Sequence, residues 1–167
     1  LELAHKWAER FQYGLIRASM ELAKERGPCE AFHLSKYSEG KLPIDTYNKN
    51  VDQITDMKLL CDWEHLREEI AEHGMRNTTL SAIPPTASSS LVSNSTQGID
   101  PIQSITDTFE SAVYTVRSLV PDYEKEPYYM KAWDMPDNTS SDYIKLMAVL
   151  QKFIDQGMSV NQWYDLT

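Results

Sequence analysis

The residues best placed to do chemistry lie between Asn77 and Ile99, in the run NTTLSAIPPTASSSLVSNSTQGI. This run holds no Asp, Glu, Lys or Arg, in a chain whose charged fraction is 25%. Within it, Pro84-Pro85 is followed by Thr86, Ala87, Ser88, Ser89 and Ser90. Small side chains let a ligand approach the backbone, and Thr and Ser hydroxyls add hydrogen-bond donors. If Leu91 and Val92 continue a short helix capped by Thr86 or Ser88, its first N–H groups have no helical partner and carry partial positive charge. Such a start can hold a phosphate without a Lys or Arg, and a charge-free segment keeps carboxylates away from it. The same composition also describes a Ser-rich linker after a buried strand. The residues alone leave these two readings open.

The other reactive side chains form no comparable pattern. His5, His33, His65 and His73 are scattered, and His65 and His73 are two helical turns apart, too far to share a metal directly. Cys29 and Cys61 lack CxxC spacing and read as structural thiols rather than a zinc site, a disulfide framework or a nucleophile. Tyr128-Tyr129, beside Met130 and Trp133, reads as packing, and Glu68-Glu69 as an exposed helix face.

The elements that must position these groups follow from periodicity. Residues 1–27 read as an amphipathic helix with Leu3, Trp7, Phe11, Leu15, Met20, Leu22 and Ala23 on its core face, ended by Gly27-Pro28. Residues 28–58 read as irregular, with Lys36–Tyr47 an ordered loop. A second helix is expected from Asp62 to His73, with Asp62 as N-cap, Trp63, Leu66 and Ile70 inward, and Gly74 as the stop. Asn77–Ile83 reads as a short buried strand ended by the prolines. Residues 105–120 read as a β-hairpin with Asp107–Ser111 as its turn and Ala112–Val120 as a strand. A short helix is expected from Pro121 toward Trp133, ended by Met135–Asn138. A last helix is expected over 142–156, with Ser141 as N-cap and Tyr143, Leu146, Met147, Leu150, Phe153 and Ile154 inward, and Met158–Tyr164 as a further strand. Helices alternating with strands point to an α/β architecture.

The chain has 167 residues, with 16 Lys+Arg against 25 Asp+Glu and a formal net charge of −9. That balance disfavours nucleic-acid polymers and anionic membranes as partners. No apolar run approaches the roughly 18 residues of a membrane span. The three triplets Asn77-Thr78-Thr79, Asn94-Ser95-Thr96 and Asn138-Thr139-Ser140 read as chance matches to a glycosylation signal. A cytoplasmic location is expected, and the Leu at position 1 suggests a fragment, a processed product or a trimmed chain.

Several runs, read together, resemble one family. They are ELAKERGPC (21–29), GKLPIDTY (40–47), HGMRNTTLSAIPPTASSS (73–90), VPDYE (120–124), WDMP (133–136) and QKFIDQGMSVN (151–161), all in family order. The chain resembles the large (alpha) subunit of class I ribonucleoside-diphosphate reductase over nearly its whole length. The resemblance implies an α/β fold, part of one half of a ten-stranded barrel, helix-rich with a few strands and a β-hairpin, with residues 1–167 forming one incomplete domain. It implies that Thr86, Ala87, Ser88 and Ser89, after Pro85, bind the phosphates of a ribonucleoside diphosphate. That is the loop chosen on physical grounds, and the resemblance decides against the linker.

The family reduces the ribose 2′ position by radical chemistry for deoxyribonucleotide synthesis. Neither Cys29 nor Cys61 lies in a motif matching its reactive cysteines, and Tyr128-Tyr129 does not match its radical-transfer pair. No catalytic residue and no metal ligand is therefore assigned to this segment. No cofactor is expected on it, the radical being generated by a metal-containing small (beta) subunit. The partners implied are the substrate, the remainder of the alpha subunit and that small subunit. The segment is expected to be inactive alone. Gln103 stands near the place where some relatives carry an Arg. The alternative is a non-catalytic phosphate-binding or assembly fragment of a split or truncated gene.

Overall fold

The computed structural model describes residues 1–110, 113, 115–124, 131–134 and 141–163. They fall into two compact units, residues 1–82 with 143–158, and residues 83–142 with 159–167.

The first unit is helical. Helix α1 (Glu2–Arg26) ends at Gly27, whose φ of 76° suits a residue without a Cβ. A series of single 3₁₀ turns and the one-turn helix α2 (Pro43–Thr46) follow, so the segment expected to be irregular contains short helical turns. Asp45 closes α2 by accepting the Leu42 N–H at 2.8 Å. It also receives Arg67 at 2.7 Å, joining α2 to helix α3 (Trp63–His73). Asp62 caps α3 as expected, its Oδ1 accepting the His65 N–H at 3.1 Å, and Gly74 stops it through a 2.8 Å bond to the Ile70 carbonyl. Trp63, Leu66 and Ile70 are buried, and Tyr13 meets Trp63 edge to face at 5.3 Å.

The face that α1 buries differs from the expected one. Met20 and Ala23 are in the core, but Leu3, Trp7, Phe11 and Leu22 are exposed and Leu15 is half-buried. The buried face instead carries His5, Glu9, Gln12, Ile16 and Ser19. Hydrophobicity chose the wrong stripe because the polar face is tied down by specific bonds. One Glu9 carboxylate oxygen accepts the Leu60 N–H at 2.7 Å, the Cys61 N–H at 2.9 Å and the Trp63 indole N–H at 3.1 Å. Desolvating a carboxylate is tolerable when several donors replace its water.

Helix α5 (Ser141–Gln151) ends earlier than expected, yet Phe153 and Ile154 beyond it are still buried with Tyr143, Met147 and Val149. Lys152, also buried, reaches Asp52 at 2.9 Å and lies 4.6 Å from the centre of the Tyr47 ring.

The second unit contains helix α4 (Ala87–Ser93) and the antiparallel strands β1 (Thr106–Glu110) and β2 (Thr115–Leu119), with Thr106 opposite Leu119 and Phe109 opposite Val116. The hairpin therefore forms, but residues 107–110 belong to its first strand rather than to its turn, and the second strand starts at Thr115. A single 3₁₀ turn spans Ala132–Asp134. The helix expected to start at Pro121-Asp122 does not start there: the two form a turn, with Asp122 in the left-handed region at φ 52°. Residues 125–130, with Tyr128-Tyr129, and the 135–138 stop lie outside the described residues.

The α/β expectation is corrected. Among the described residues the only sheet is this two-stranded hairpin, and no part of a barrel is present. Asn77–Ile83 pairs with no strand, and neither do residues 158–163, where a further strand was expected. Three backbone donors of the segment go to side chains instead of to a neighbouring strand. The Asn77 N–H goes to Ser19 Oγ at 3.0 Å, and the Leu80 and Ser81 N–H groups go to Asp155 Oδ2 at 2.8 and 3.3 Å.

Candidate functional site

The charge-free run folds into a short closed loop in the second unit. Its prolines, Pro84 and Pro85, are exposed and deliver the chain to Thr86, the N-cap of α4. The Thr86 N–H donates to the Gln97 carbonyl at 2.7 Å, and the Thr86 hydroxyl donates to the same carbonyl at 3.2 Å. The Thr86 carbonyl in turn accepts the Ser90 N–H at 2.8 Å, closing the first helical turn. The loop is thus fastened at both ends by backbone groups.

The far end of α4 is made by Asn94, in the left-handed region at φ 50°, where a short polar side chain is tolerated. Its N–H and that of Ser95 both reach the Ser90 carbonyl, the latter at 3.0 Å. Ser90 is buried and anchors this turn. Ser93 Oγ bonds the Ser89 carbonyl at 3.0 Å and Ser95 Oγ at 2.7 Å. The Ser93 hydroxyl therefore satisfies one of the helix's own carbonyls.

The outward groups are those of the expected phosphate site. Ser88 and Ser89 are exposed, and their N–H groups lie in the first turn of α4, where no helical carbonyl stands four residues back. Thr86 makes no side-chain cap bond to the helix. The structure thus keeps Thr86, Ser88 and Ser89 on one short turn with Ala87. It spends the Thr86 hydroxyl proton on Gln97 and leaves the Ser88 and Ser89 hydroxyls facing solvent. The run that carries this turn has no charged residue, the first one after it being Asp100. That carboxylate accepts the Asn161 amide at 2.8 Å. Gln103 is exposed.

Cys61 is not set up as an ionised nucleophile, and neither it nor Cys29 is in a disulfide. Both are half-buried. Burial pushes the Cys61 thiol up, and the Glu9 carboxylate adds to it. Among the described residues, no group of three His, Cys, Asp or Glu side chains is placed to hold a metal ion. No helix among them is long and apolar enough to cross a membrane.

Two organising residues escaped sequence reasoning. Asp155 was hidden in a helical run, and its bonds to Tyr37, Leu80 and Ser81 join segments 118, 75 and 74 residues away. Glu9 was assigned to no role, because a single acidic residue in a charged helix looks solvated. No spacing signal points to either one.

Comparison with known proteins supplies the context. A family profile described as "Ribonucleotide reductase, barrel domain" matches residues 1–120. The chain is 47% identical over 165 residues to ribonucleoside-diphosphate reductase 1 subunit alpha of Salmonella typhimurium, covering 98% of this chain and 21% of that protein. It is likewise 47% identical over 164 residues to the Escherichia coli protein of that name, and 42% identical over 165 residues to the alpha subunit of Enterobacteria phage T4. The chain spans about one fifth of the length of these relatives, 21–22%. With the profile matching 120 of its residues and such identity over 98% of its length, the chain belongs to the ribonucleotide reductase large-subunit family.

Proposed function

We propose that these residues act as part of the alpha subunit of a ribonucleoside-diphosphate reductase, an oxidoreductase of deoxyribonucleotide synthesis, and that Thr86, Ala87, Ser88 and Ser89 receive the substrate's phosphates. The observation that carries this reading is the exposed first turn of α4, with Ser88 and Ser89 outward in a run free of charged side chains. The N–H groups of Ser88 and Ser89 and their hydroxyls supply the donors. Thr86 contributes its hydroxyl proton only by releasing the Gln97 carbonyl, 3.2 Å away. A diphosphate brings its own negative charge to this turn, where neutral dipoles hold it without a competing carboxylate.

In this reading the reacting groups come from the rest of the alpha subunit, and the radical comes from a metal-containing small subunit. The segment's task is to fix the phosphate end of the substrate so that the ribose is presented to them. Binding energy at a non-reacting group of this kind improves orientation at the reacting centre.

The test uses an Escherichia coli alpha subunit whose matching segment is replaced by these residues. Ser88→Trp fills the space over the turn while leaving the core untouched. The KM for a ribonucleoside diphosphate is expected to rise by roughly tenfold or more, about 1.4 kcal/mol of lost binding. An unchanged KM overturns the assignment. The isolated chain is expected to bind nucleoside diphosphates weakly, and tight binding by it alone would show that the site needs no other part of the subunit.

A further inference from the structure

Helix α1 turns three polar side chains into the core of the first unit. His5, Glu9 and Gln12 follow one another on one face of the helix, over about two turns. All three are fully buried. Glu9 Oε1 is occupied by the N–H donors of Leu60, Cys61 and Trp63. The other polar atoms of the trio have no hydrogen-bond partner among the described residues: both ring nitrogens of His5, Glu9 Oε2, and the amide nitrogen and oxygen of Gln12. Buried polar atoms nearly always have a partner, and a group of them left over in one place calls for a ligand.

The surrounding side chains do not serve these atoms. His5 Nδ1 and Glu9 Oε2 are 3.9 Å apart, beyond hydrogen-bond length. Phe153 meets the His5 ring edge to face at 4.9 Å and brings no polar group. Lys152, whose charge acts on His5, gives its ammonium to Asp52 at 2.9 Å. Gln12 stands beside the Tyr37 hydroxyl without bonding it, and that hydroxyl donates to Asp155 at 2.5 Å.

The donor and acceptor types decide what fits. A cation would suit Glu9 Oε2 and Gln12 Oε1, but it would face the Gln12 amide hydrogens and an imidazole N–H. An anion would face the Glu9 carboxylate. Water both donates and accepts, so it answers the carboxylate, either end of the amide and either neutral tautomer of His5. The spacing fits as well. Two bonds of about 2.8 Å that meet at one oxygen span 3.9 Å when they enclose an angle of about 90°.

We propose that His5, Glu9 and Gln12 form an internal water-binding site, in which one water bridges His5 Nδ1 and Glu9 Oε2. The water donates to Glu9 Oε2, exchanges a hydrogen bond with His5 Nδ1, and has a further bond for the Gln12 amide, close to the roughly three bonds usual for an internal water. It thereby helps to hold the polar face of α1 inward, beside the donors already bound to Glu9 Oε1. The site is independent of the phosphate-binding role of α4.

The experiment is a crystal structure of the Escherichia coli alpha subunit carrying this segment, refined at a resolution that orders internal waters. A peak is expected within about 2.7–3.2 Å of both His5 Nδ1 and Glu9 Oε2. The absence of that peak overturns the proposal. So does a direct His5–Glu9 hydrogen bond, a polar side chain from elsewhere in the subunit in the same place, or a peak at the roughly 2.0–2.6 Å contacts of a metal ion. The variant His5→Phe keeps a ring against Phe153 and removes both nitrogens. In that variant the peak is expected to vanish, and a peak that remains unchanged on Glu9 overturns the bridging role. Should His5→Phe fail to fold, the structure with His5 in place decides alone. A failure of the Ser88→Trp test leaves this result unaffected.

Discussion

Ser81 and Asp155 grip one another across 74 residues of sequence: the Asp155 N–H donates to Ser81 Oγ at 3.0 Å, and the Ser81 N–H donates to Asp155 Oδ2 at 3.3 Å. The Leu80 N–H adds a 2.8 Å bond to the same carboxylate oxygen, and the Tyr37 hydroxyl donates to the other at 2.5 Å. A segment without strand partners is thereby held by one side chain.

Replacing Asp155 by Ala leaves two backbone N–H groups and a buried tyrosine hydroxyl without their acceptor. The loss expected is about 2–4 kcal/mol, the sum of a few unmet donors partly reached by water. Urea unfolding followed by far-ultraviolet circular dichroism measures it. Asp155→Asn keeps one acceptor oxygen and is expected to lose less. Equal losses in the two variants would show that the carboxylate's packing, and not its acceptors, matters.

Glu9 makes a parallel case on α1. Glu9→Ala removes the acceptor for Leu60, Cys61 and Trp63 from a fully buried place, and a loss of about 2–4 kcal/mol is expected from the unmet donors. Glu9→Gln retains a carbonyl oxygen and is expected to keep most of the stability. The Trp63 indole N–H resonance reports the bond directly, and an unshifted resonance in Glu9→Ala would contradict the arrangement.

His5 makes stability depend on pH. Burial, with Lys152 adding to it, pulls its pKa below the ordinary 6.5, against the opposing pull of Glu9 and Asp52. The unfolded chain then takes up the proton first as pH falls. The contribution is complete above about pH 6.5 and is lost as pH falls through the folded-state pKa. The urea midpoint is expected to drop between pH 7 and pH 5, and His5→Gln is expected to flatten that slope. A slope unchanged in the variant would remove His5 from the account.

Two glycines with the same φ of 76° should respond differently. A Cβ at Gly74 would stand 2.7 Å from Pro28 Cβ, whereas nothing lies within 4 Å of one at Gly27. Gly27→Ala bears only backbone strain, about 1–3 kcal/mol, since φ 76° with ψ 158° is a conformation nearly confined to glycine. Gly74→Ala adds a clash with a rigid ring, and about 2–4 kcal/mol is expected. Thermal unfolding of the pair separates these terms, and equal shifts in Tm would show that the Pro28 contact relaxes freely.

Local signals read well where one residue type decides the backbone. Asp62 and Gly74 bound α3, Gly27 ends α1, and the Thr86 turn starts a short helix, because caps and stops depend on near neighbours. The phosphate-binding candidate was legible for the same reason: small polar residues and missing charges are local facts. The α1 face was not legible. Leu3, Trp7 and Phe11 have the better apolar period, and only the bonds from Glu9 to residues 60, 61 and 63 show which side turns inward.

The sequence by itself determined the family, the helices with clear caps, and the uncharged turn at Thr86–Ser89. These are matters of residue order and short-range chemistry. The tertiary structure alone decided that Asn77–Ile83 is no strand, that no barrel forms among the described residues, and that a polar face of α1 is buried while an apolar one stays open. Those outcomes depend on partners tens of residues away, such as Asp155 for Leu80 and Ser81, and a side chain that satisfies a distant backbone donor leaves no periodic trace in the sequence.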